Sequence, residues 1–144
     1  MPRRLLILLL LVFSSWAAAR ENVWQPGEDN AAWRADCGSC HLAFPPALLP
    51  VCDWMEIMAQ LDTHFGLDAS LDPKTRQHIS DYLQRNGDHN ARFDRRAALP
   101  RITTTDRFID KHRSAIRLWQ KGKIKTLTDC VACHKEADPS AANE

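Results

Sequence analysis

One five-residue pattern occurs twice in this chain, as Cys37-Gly38-Ser39-Cys40-His41 and again as Cys130-Val131-Ala132-Cys133-His134. Both copies read Cys-x-x-Cys-His, with two residues between the cysteines and a histidine directly after the second one. That spacing allows one helical turn to present both thiols to the same edge of a bound group. The histidine that follows can then reach the centre of that group.

The Cys-x-x-Cys-His pattern is the attachment site of c-type haem. The two thiols add across the two vinyl groups on one edge of the porphyrin, and the histidine binds the iron from one side. Two motifs therefore predict two covalently bound haem c groups. The residues assigned to them are Cys37, Cys40 and the proximal ligand His41 for the first haem, and Cys130, Cys133 and the proximal ligand His134 for the second.

Three other uses of paired cysteines compete with haem attachment. Two Cys-x-x-Cys pairs can hold a zinc ion, but a histidine directly after each pair counts against that use. A thioredoxin-like redox pair requires a strand before its helix, and no strand pattern precedes either motif. Disulfide pairing leaves one of the five cysteines over and explains neither histidine.

The first 19 residues have the three-part layout of a secretory signal peptide. A basic start with Arg3 and Arg4 precedes the apolar run at residues 5–13, and three alanines end at Ala19. Nine apolar residues are too few to span a bilayer. We therefore expect cleavage after Ala19 and a soluble periplasmic domain at residues 20–144 that does not span the membrane. Covalent haem attachment outside the cytoplasm agrees with this expectation.

The charge balance gives no reason to expect nucleic-acid binding. The chain has 19 Lys and Arg against 18 Asp and Glu, for a formal charge of +1. Without Arg3 and Arg4 of the signal peptide, 17 basic residues face 18 acidic ones and the formal charge is −1. A nucleic-acid partner would require a clear basic excess. No nucleic acid is therefore expected among the partners.

The periodicity of the rest of the chain predicts an all-α fold, in which helices and long loops wrap around two haems with little or no strand. We divide the domain into a first haem segment at about 30–86, a linker at about 87–101 and a second haem segment at about 102–137. The linker is assigned by its polar, irregular composition.

Capping residues and glycines predict where the helices begin and end. Asn30 is expected to cap a short helix that leads into the first motif. Longer helices are expected at about residues 53–65, 73–86 and 103–120, the first two with an aspartate at the cap. Three prolines within residues 45–50 exclude helix and strand there, and this apolar loop is expected to lie over a haem face.

The porphyrin ring fills four ligand positions of a haem iron and the motif histidine fills the fifth. The ligand in the sixth position decides between electron transfer and ligand chemistry. Two histidines, one for each iron, are the candidates for this position. His112 lies in an apolar stripe with Phe108 and Ile116 at helical spacing. His64 follows Leu61 on the apolar face at the end of the predicted helix at 53–65. A histidine on an apolar face is usually a satisfied core residue, but two irons that need ligands reverse that expectation. The simplest pairing is His41 with His64 and His134 with His112.

The remaining candidates are weaker. His78 and His89 have polar neighbours and are expected at the surface. Met55 and Met58 are possible thioether ligands, but Met58 shares an apolar stripe that favours core packing. Cys52 has no histidine companion and is expected to be a buried thiol without a function. The basic loop at residues 121–125 could dock an acidic partner, but a solvated loop or pairing with haem propionates is the favoured interpretation.

The chain resembles the bacterial dihaem cytochrome c family (DHC) over nearly the whole predicted mature domain. The resemblance is carried by residues 37–50, Trp54, Met58, Leu61, His64-Phe65-Gly66, residues 69–72, residues 107–113, Trp119 and residues 130–134. The Pro-rich segment after the first motif and the His-Phe-Gly triplet are its most distinctive parts. His64 matches the histidine of that triplet, and His112 matches the later histidine of the family.

The resemblance implies a mostly helical periplasmic electron carrier with two low-potential bis-histidine haems. It also implies a small oxygen-binding monohaem cytochrome of the sphaeroides haem protein type as a partner, and a membrane cytochrome b as a source of electrons. We therefore expect an electron carrier and not an enzyme. The alternatives left open are an electron-transfer subunit of a periplasmic reductase, similar to the small subunit of nitrate reductase, and a dihaem protein with one open, ligand-binding iron.

Overall fold

The structure, a computed structural model, describes residues 30–90 and 100–137, apart from the side chain of Glu136. Five α-helices lie in these ranges, and we number them in chain order. They are α1 (Ala31–Cys37), α2 (Val51–Ala59), α3 (Pro73–Asn86), α4 (Asp106–Lys111) and α5 (Arg113–Gln120). The expected signal peptide and most of the expected linker lie outside the described residues.

Short 3-10 turns and loops connect the helices, and the two described ranges contain no strand. The turns are Pro46–Leu48, Leu61–Thr63, Ile102–Thr104, Cys130–Ala132 and Lys135–Ala137. The predicted all-α fold is therefore confirmed. In these same ranges, no helix is both long enough and apolar enough to cross a membrane.

Helix α1 begins at the predicted cap. The buried Asn30 accepts a hydrogen bond at its Oδ1 from the backbone N–H of Trp33, at 2.9 Å. Its amide nitrogen lies 3.1 Å from Nε2 of His78 on α3, which links the two helices. One turn further on, the Trp33 ring packs against Tyr82 of α3 with 5.3 Å between ring centres. The cap thus sets the position of the helix that carries the first motif.

Substitution of Asn30 by alanine is expected to destabilise the holoprotein by about 1 kcal/mol, because the buried Trp33 N–H loses its acceptor. Guanidinium unfolding followed by tryptophan fluorescence measures this change. The matched variant Asn30→Ser keeps a capping oxygen and should retain most of the stability. Equal midpoints for the alanine variant and the parent protein would contradict the assigned cap.

A side-chain hydrogen bond holds the proline-rich loop against α2. The Trp54 indole N–H donates to the carbonyl oxygen of Pro46 at 2.6 Å, and both residues are buried. The loop contains a single 3-10 turn, Pro46–Leu48, and is otherwise irregular, as the prolines predict. The loop therefore lies against the helix instead of extending into solvent.

Helix α2 is shorter than predicted and starts earlier. It begins at Val51 after Pro50, and it ends at Ala59, where Gln60 leaves the helical region with φ −123° and ψ 35°. A 3-10 turn over Leu61–Thr63 replaces its expected last turn. His64 therefore follows a change of direction in the chain and does not lie on a continuous helix.

Helix α3 has the predicted ends. The carboxylate of Asp72 accepts hydrogen bonds from the backbone N–H groups of Lys74 and Thr75 at 3.0 and 3.1 Å. The helix ends at Asn86, and a Cβ at Gly87 would lie only 2.9 Å from the carbonyl oxygen of Leu83 and 3.2 Å from the Trp54 ring. Only glycine permits this close approach of α3 to α2.

The hydrophobic core of the described residues lies almost entirely in the first range. Its buried members are Trp33, Leu49, Trp54, Ile57, Met58, Ile79, Tyr82 and Leu83. In contrast, α4 and α5 contain no buried residue, and Trp119 of α5 is 47% exposed. The two halves of the fold therefore differ in how much of their own apolar surface they cover.

The predicted helix at 103–120 is interrupted. His112 separates α4 from α5 with φ −113° and ψ 22°. Backbone hydrogen bonds nevertheless continue past this point, from His112 N–H to Phe108 and from Ile116 N–H to His112, both at 2.9 Å. The change of direction places His112 at a junction between two short helices.

Candidate functional site

The first Cys-x-x-Cys-His motif lies at the end of α1. Cys37 is the last residue of the helix, and the N–H of Gly38 donates to the carbonyl oxygen of Arg34 at 3.0 Å. A Cβ at Gly38 would clash with that same oxygen, so glycine is required for the turn. The chain then continues through the exposed Cys40 to His41.

The second motif begins on the 3-10 turn Cys130–Ala132. The Asp129 side chain accepts a hydrogen bond from the backbone N–H of Ala132 at 3.3 Å. The backbone N–H of His134 donates to the carbonyl oxygen of Cys130 at 2.8 Å. Each motif is therefore built around a helical turn, although the elements before the two motifs differ.

The structure brings the four predicted ligand histidines together as two pairs. The ring centres of His41 and His64 are 6.3 Å apart, with 29° between the ring planes. The ring centres of His112 and His134 are 5.9 Å apart, with 64° between the planes. These are the pairs that the simplest assignment from the sequence gives.

The separation within each pair fits one metal ion between two imidazoles. A metal–imidazole bond of about 2 Å and ring bonds of roughly 1.35 Å, which put the nitrogen about 1.15 Å from the ring centre, predict about 6.3 Å between ring centres on opposite sides of a metal. The spacing of both pairs is thus compatible with an iron ion between the rings.

Hydrogen bonds to the backbone orient two of these imidazoles. Nδ1 of His41 lies 2.7 Å from the carbonyl oxygen of Leu42, and Nδ1 of His112 lies 2.9 Å from that of Phe108. A carbonyl oxygen can only accept, so Nδ1 carries the proton in both rings. Nε2 then keeps its lone pair, which is the arrangement that a metal-binding histidine requires.

Phenylalanine rings pack against His41, His64 and His112. Phe44 stacks on His41 at 5.0 Å and Phe108 stacks on His112 at 4.1 Å, both measured between ring centres. Phe65 meets His64 edge-on at 4.7 Å. Phe108 was visible from the sequence as the residue four positions before His112. Phe65 was visible as the residue after His64 in the His-Phe-Gly triplet, and Phe44 lies in the segment at residues 37–50 that carries the family resemblance. Their ring contacts depend on a turn and a loop, which helical periodicity does not predict.

Burial also affects the titration of the site residues. The pKa of His64 is lowered by burial first, and then by the nearby His41 and Arg101. Burial, and then the Asp36 carboxylate, raise the pKa of the Cys37 thiol to about 11. The pKa of Cys130 is raised by burial and Asp129 in the same order. Neutral imidazole, the form that the lowered pKa of His64 favours, is also the form that binds a metal.

One cavity connects the two motifs. It has a volume of about 580 Å³, within the range of about 300–1,000 Å³ that is usual for cofactor sites. Cys40, His41 and His64 line one part of it, and Phe108 and Cys130 line another. Its other lining residues are mostly apolar, including Trp33, Trp54, Ile57, Met58, Leu71 and Leu83. This mostly apolar lining fits large, flat, apolar groups attached at both motifs.

The other candidates from the sequence lie apart from the histidine pairs or are buried in the core. His78 and His89 are exposed, as expected, and Met58 belongs to the core. The expectation of a buried Cys52 was wrong, because its side chain is exposed. The buried positions of α2 are 53, 54, 57 and 58, which leaves Cys52 on the outer face.

The donor set does not resemble a zinc or disulfide module. In residues 30–90 and 100–137, no three His, Cys, Asp or Glu side chains come together as a metal-binding group. All five cysteines lie in these ranges, and no two of them are joined by a disulfide. Paired thiols on a helical turn, followed by a histidine that faces a second histidine, instead match the chemistry of covalent haem.

Covalent haem attachment by this motif defines the c-type cytochromes, and the all-helical fold agrees with that class. The family model described as dihaem cytochrome c (DHC) matches residues 33–141. The chain therefore belongs to the dihaem cytochrome c family, and it carries two covalently bound haem c groups.

Solved structures of two bacterial proteins are similar to this chain over most of its length. The diheme cytochrome c from Rhodobacter sphaeroides is 35% identical, with a TM-score of 0.63, over 75% of this chain and 92% of that one. The diheme cytochrome from Shewanella baltica OS155 is 36% identical, with a TM-score of 0.63, over 77% of this chain and 85% of that one. None of the curated proteins compared matches the chain.

Proposed function

We propose that this chain is a periplasmic electron carrier whose two haem irons each have two histidine ligands. His41 and His64 hold the first iron, and His134 and His112 hold the second. The observation that carries the proposal is the separation of 6.3 and 5.9 Å between the paired ring centres. Membership of the dihaem cytochrome c family implies electron transfer as the general activity.

The proposed ligation explains why the chain transfers electrons and does not turn over a substrate. When bound, each haem supplies an iron that changes between the ferric and ferrous states. Imidazoles on both sides leave no exchangeable position for oxygen or nitrite, and a second imidazole gives a lower potential than a thioether would. Backbone carbonyls hold His41 and His112 in the required orientation, so little rearrangement is needed when the charge changes.

The cavity supports transfer between the two sites. Residues of both motifs line it, including Cys40 and Cys130, which favours haems that lie close together. We propose that electrons enter from a membrane cytochrome b and leave to a small oxygen-binding monohaem cytochrome of the sphaeroides haem protein type. Family resemblance supports these partners, and the pattern of residues 1–19 supports export to the periplasm.

The parent protein is expected to be insensitive to carbon monoxide at neutral pH. The chain is produced in a bacterial periplasm with the haem maturation machinery, and a pyridine haemochrome assay should give two haems per chain. The Soret band of the ferrous protein should not shift promptly under carbon monoxide, because both axial positions are filled. A prompt shift would show an open iron and overturn bis-histidine ligation at one site or both.

A further inference from the structure

The side chain of Arg101 lies next to the first histidine pair. Its guanidinium carbon is 4.0 Å from the centre of the Phe65 ring, within the range of a cation–π contact. The Arg101 carbonyl accepts hydrogen bonds from the backbone and the hydroxyl of Thr104, at 3.1 and 2.9 Å. Both the backbone and the charged end of Arg101 are therefore held in place.

Phe65 connects this charge to His64. The Phe65 ring meets the His64 ring edge-on at 4.7 Å between centres. Phe65 also adopts the left-handed conformation with φ 49°, in a turn closed by the N–H of Leu67 on the carbonyl of His64 at 3.0 Å. Arg101 and His64 also line the same cavity.

The balance of charges around the cavity makes Arg101 distinctive. Among the described residues that line the cavity, Arg101 is the only lysine or arginine, whereas Asp36 and Asp68 are acidic. A guanidinium keeps its charge at every pH at which the protein is folded. Among the lining residues of the described ranges, Arg101 therefore supplies the one permanent positive charge, close to His64.

We propose that the fixed charge of Arg101, held over Phe65, raises the reduction potential of the iron bound by His41 and His64. The inference rests on the ligation proposed above. The ferric centre has one more positive charge than the ferrous centre, so a nearby cation destabilises the ferric state. Pairing of Arg101 with an anionic haem propionate would act in the same direction, because it cancels a charge that stabilises the ferric state.

The test is a potentiometric titration of the variant Arg101→Gln. We expect one of the two one-electron waves to shift to a lower potential, by about tenfold in the reduction equilibrium constant, which corresponds to about 59 mV. The variant His64→Met assigns the wave, because a thioether ligand raises the potential of the first iron. The wave that moves in Arg101→Gln must be the wave that moves in His64→Met.

Two control variants separate the charge from other effects. Arg76→Gln removes one positive charge from the exposed side of α3 and should change both equilibrium constants by less than about twofold. Arg101→Lys keeps the charge and should keep the potential within about twofold of the parent value. Equal shifts in Arg101→Gln and Arg101→Lys, or a change of Arg101→Gln to a high-spin spectrum, would assign Arg101 a structural role and overturn the inference.

Failure of this inference is distinct from failure of the proposed function. If the parent protein binds carbon monoxide promptly, the ligation itself is wrong. If the parent protein is insensitive to carbon monoxide and Arg101→Gln moves neither wave, the ligation stands and only the role of Arg101 is rejected.

Discussion

The variant His64→Ala is expected to bind one carbon monoxide per chain in its ferrous state, where the parent protein binds none. Alanine removes the imidazole that faces His41 at 6.3 Å and leaves a space beside the first iron. The neighbouring Phe65 supplies no donor atom, and the guanidinium of Arg101 has no acceptor lone pair. We therefore expect a shifted ferrous Soret band under carbon monoxide and a high-spin ferric fraction of about one half, since one of two irons changes.

The same experiment on the second pair tests the pairing. His112→Ala should also bind one carbon monoxide per chain, and the double variant should bind two. His78→Ala is the matched control, because His78 is an exposed histidine of α3 that does not line the cavity. Carbon monoxide binding by His78→Ala, together with no binding by His64→Ala, would exchange the assigned roles.

Met58 is the residue that can complicate this result. It is buried and lines the same cavity as His64, and its thioether is a known type of haem ligand. If His64→Ala stays low-spin with a raised potential, Met58 has replaced the missing imidazole. The double variant with Met58→Leu removes that donor while it keeps the apolar volume, and it should then bind carbon monoxide.

Local signals in the sequence predicted the start of α1 and both ends of α3, whereas the expected cap at Asp53 was wrong because α2 already begins at Val51. Asn30 and Asp72 cap helices through hydrogen bonds to backbone groups at most three residues away. The geometry of such caps is contained in a short stretch of chain. Cys-x-x-Cys-His is equally local, since both thiols and the histidine come from consecutive residues.

The parts that the sequence did not predict depend on distant contacts or on a single dihedral angle. The stripe of Phe108, His112 and Ile116 fits one helix, and the hydrogen bonds do continue past His112, so periodicity cannot reveal the interruption there. The end of α2 at Ala59 and the left-handed Phe65 are changes at one residue each. The approach of Arg101 to Phe65 joins two residues far apart in sequence, and no local pattern encodes it.

Loss of the second haem is expected to unfold α4 and α5 while α1, α2 and α3 persist. The reason is the unequal distribution of the core. The eight core residues that bury one another all lie in residues 30–90. In α5, Leu118 and Trp119 remain 46% and 47% exposed, and neither α4 nor α5 buries a side chain. A segment that buries so little of its own apolar surface requires another apolar partner to offset the entropy of folding.

The double variant Cys130→Ser, Cys133→Ser removes covalent attachment at the second motif and tests this dependence. We expect one haem per chain and a loss of about a third of the helical circular dichroism, because α4 and α5 contribute 6 and 8 residues, whereas α1, α2 and α3 contribute 7, 9 and 14. The backbone amides of His112 and Ile116 should lose their protection from hydrogen exchange, while those of α3 keep it.

The matched variant Cys37→Ser, Cys40→Ser should retain protection in α3, whose buried Ile79, Tyr82 and Leu83 pack against protein. If α4 and α5 stay protected without the second haem, the apolar residues of this segment stabilise one another. The second haem would then not be needed for this segment to fold.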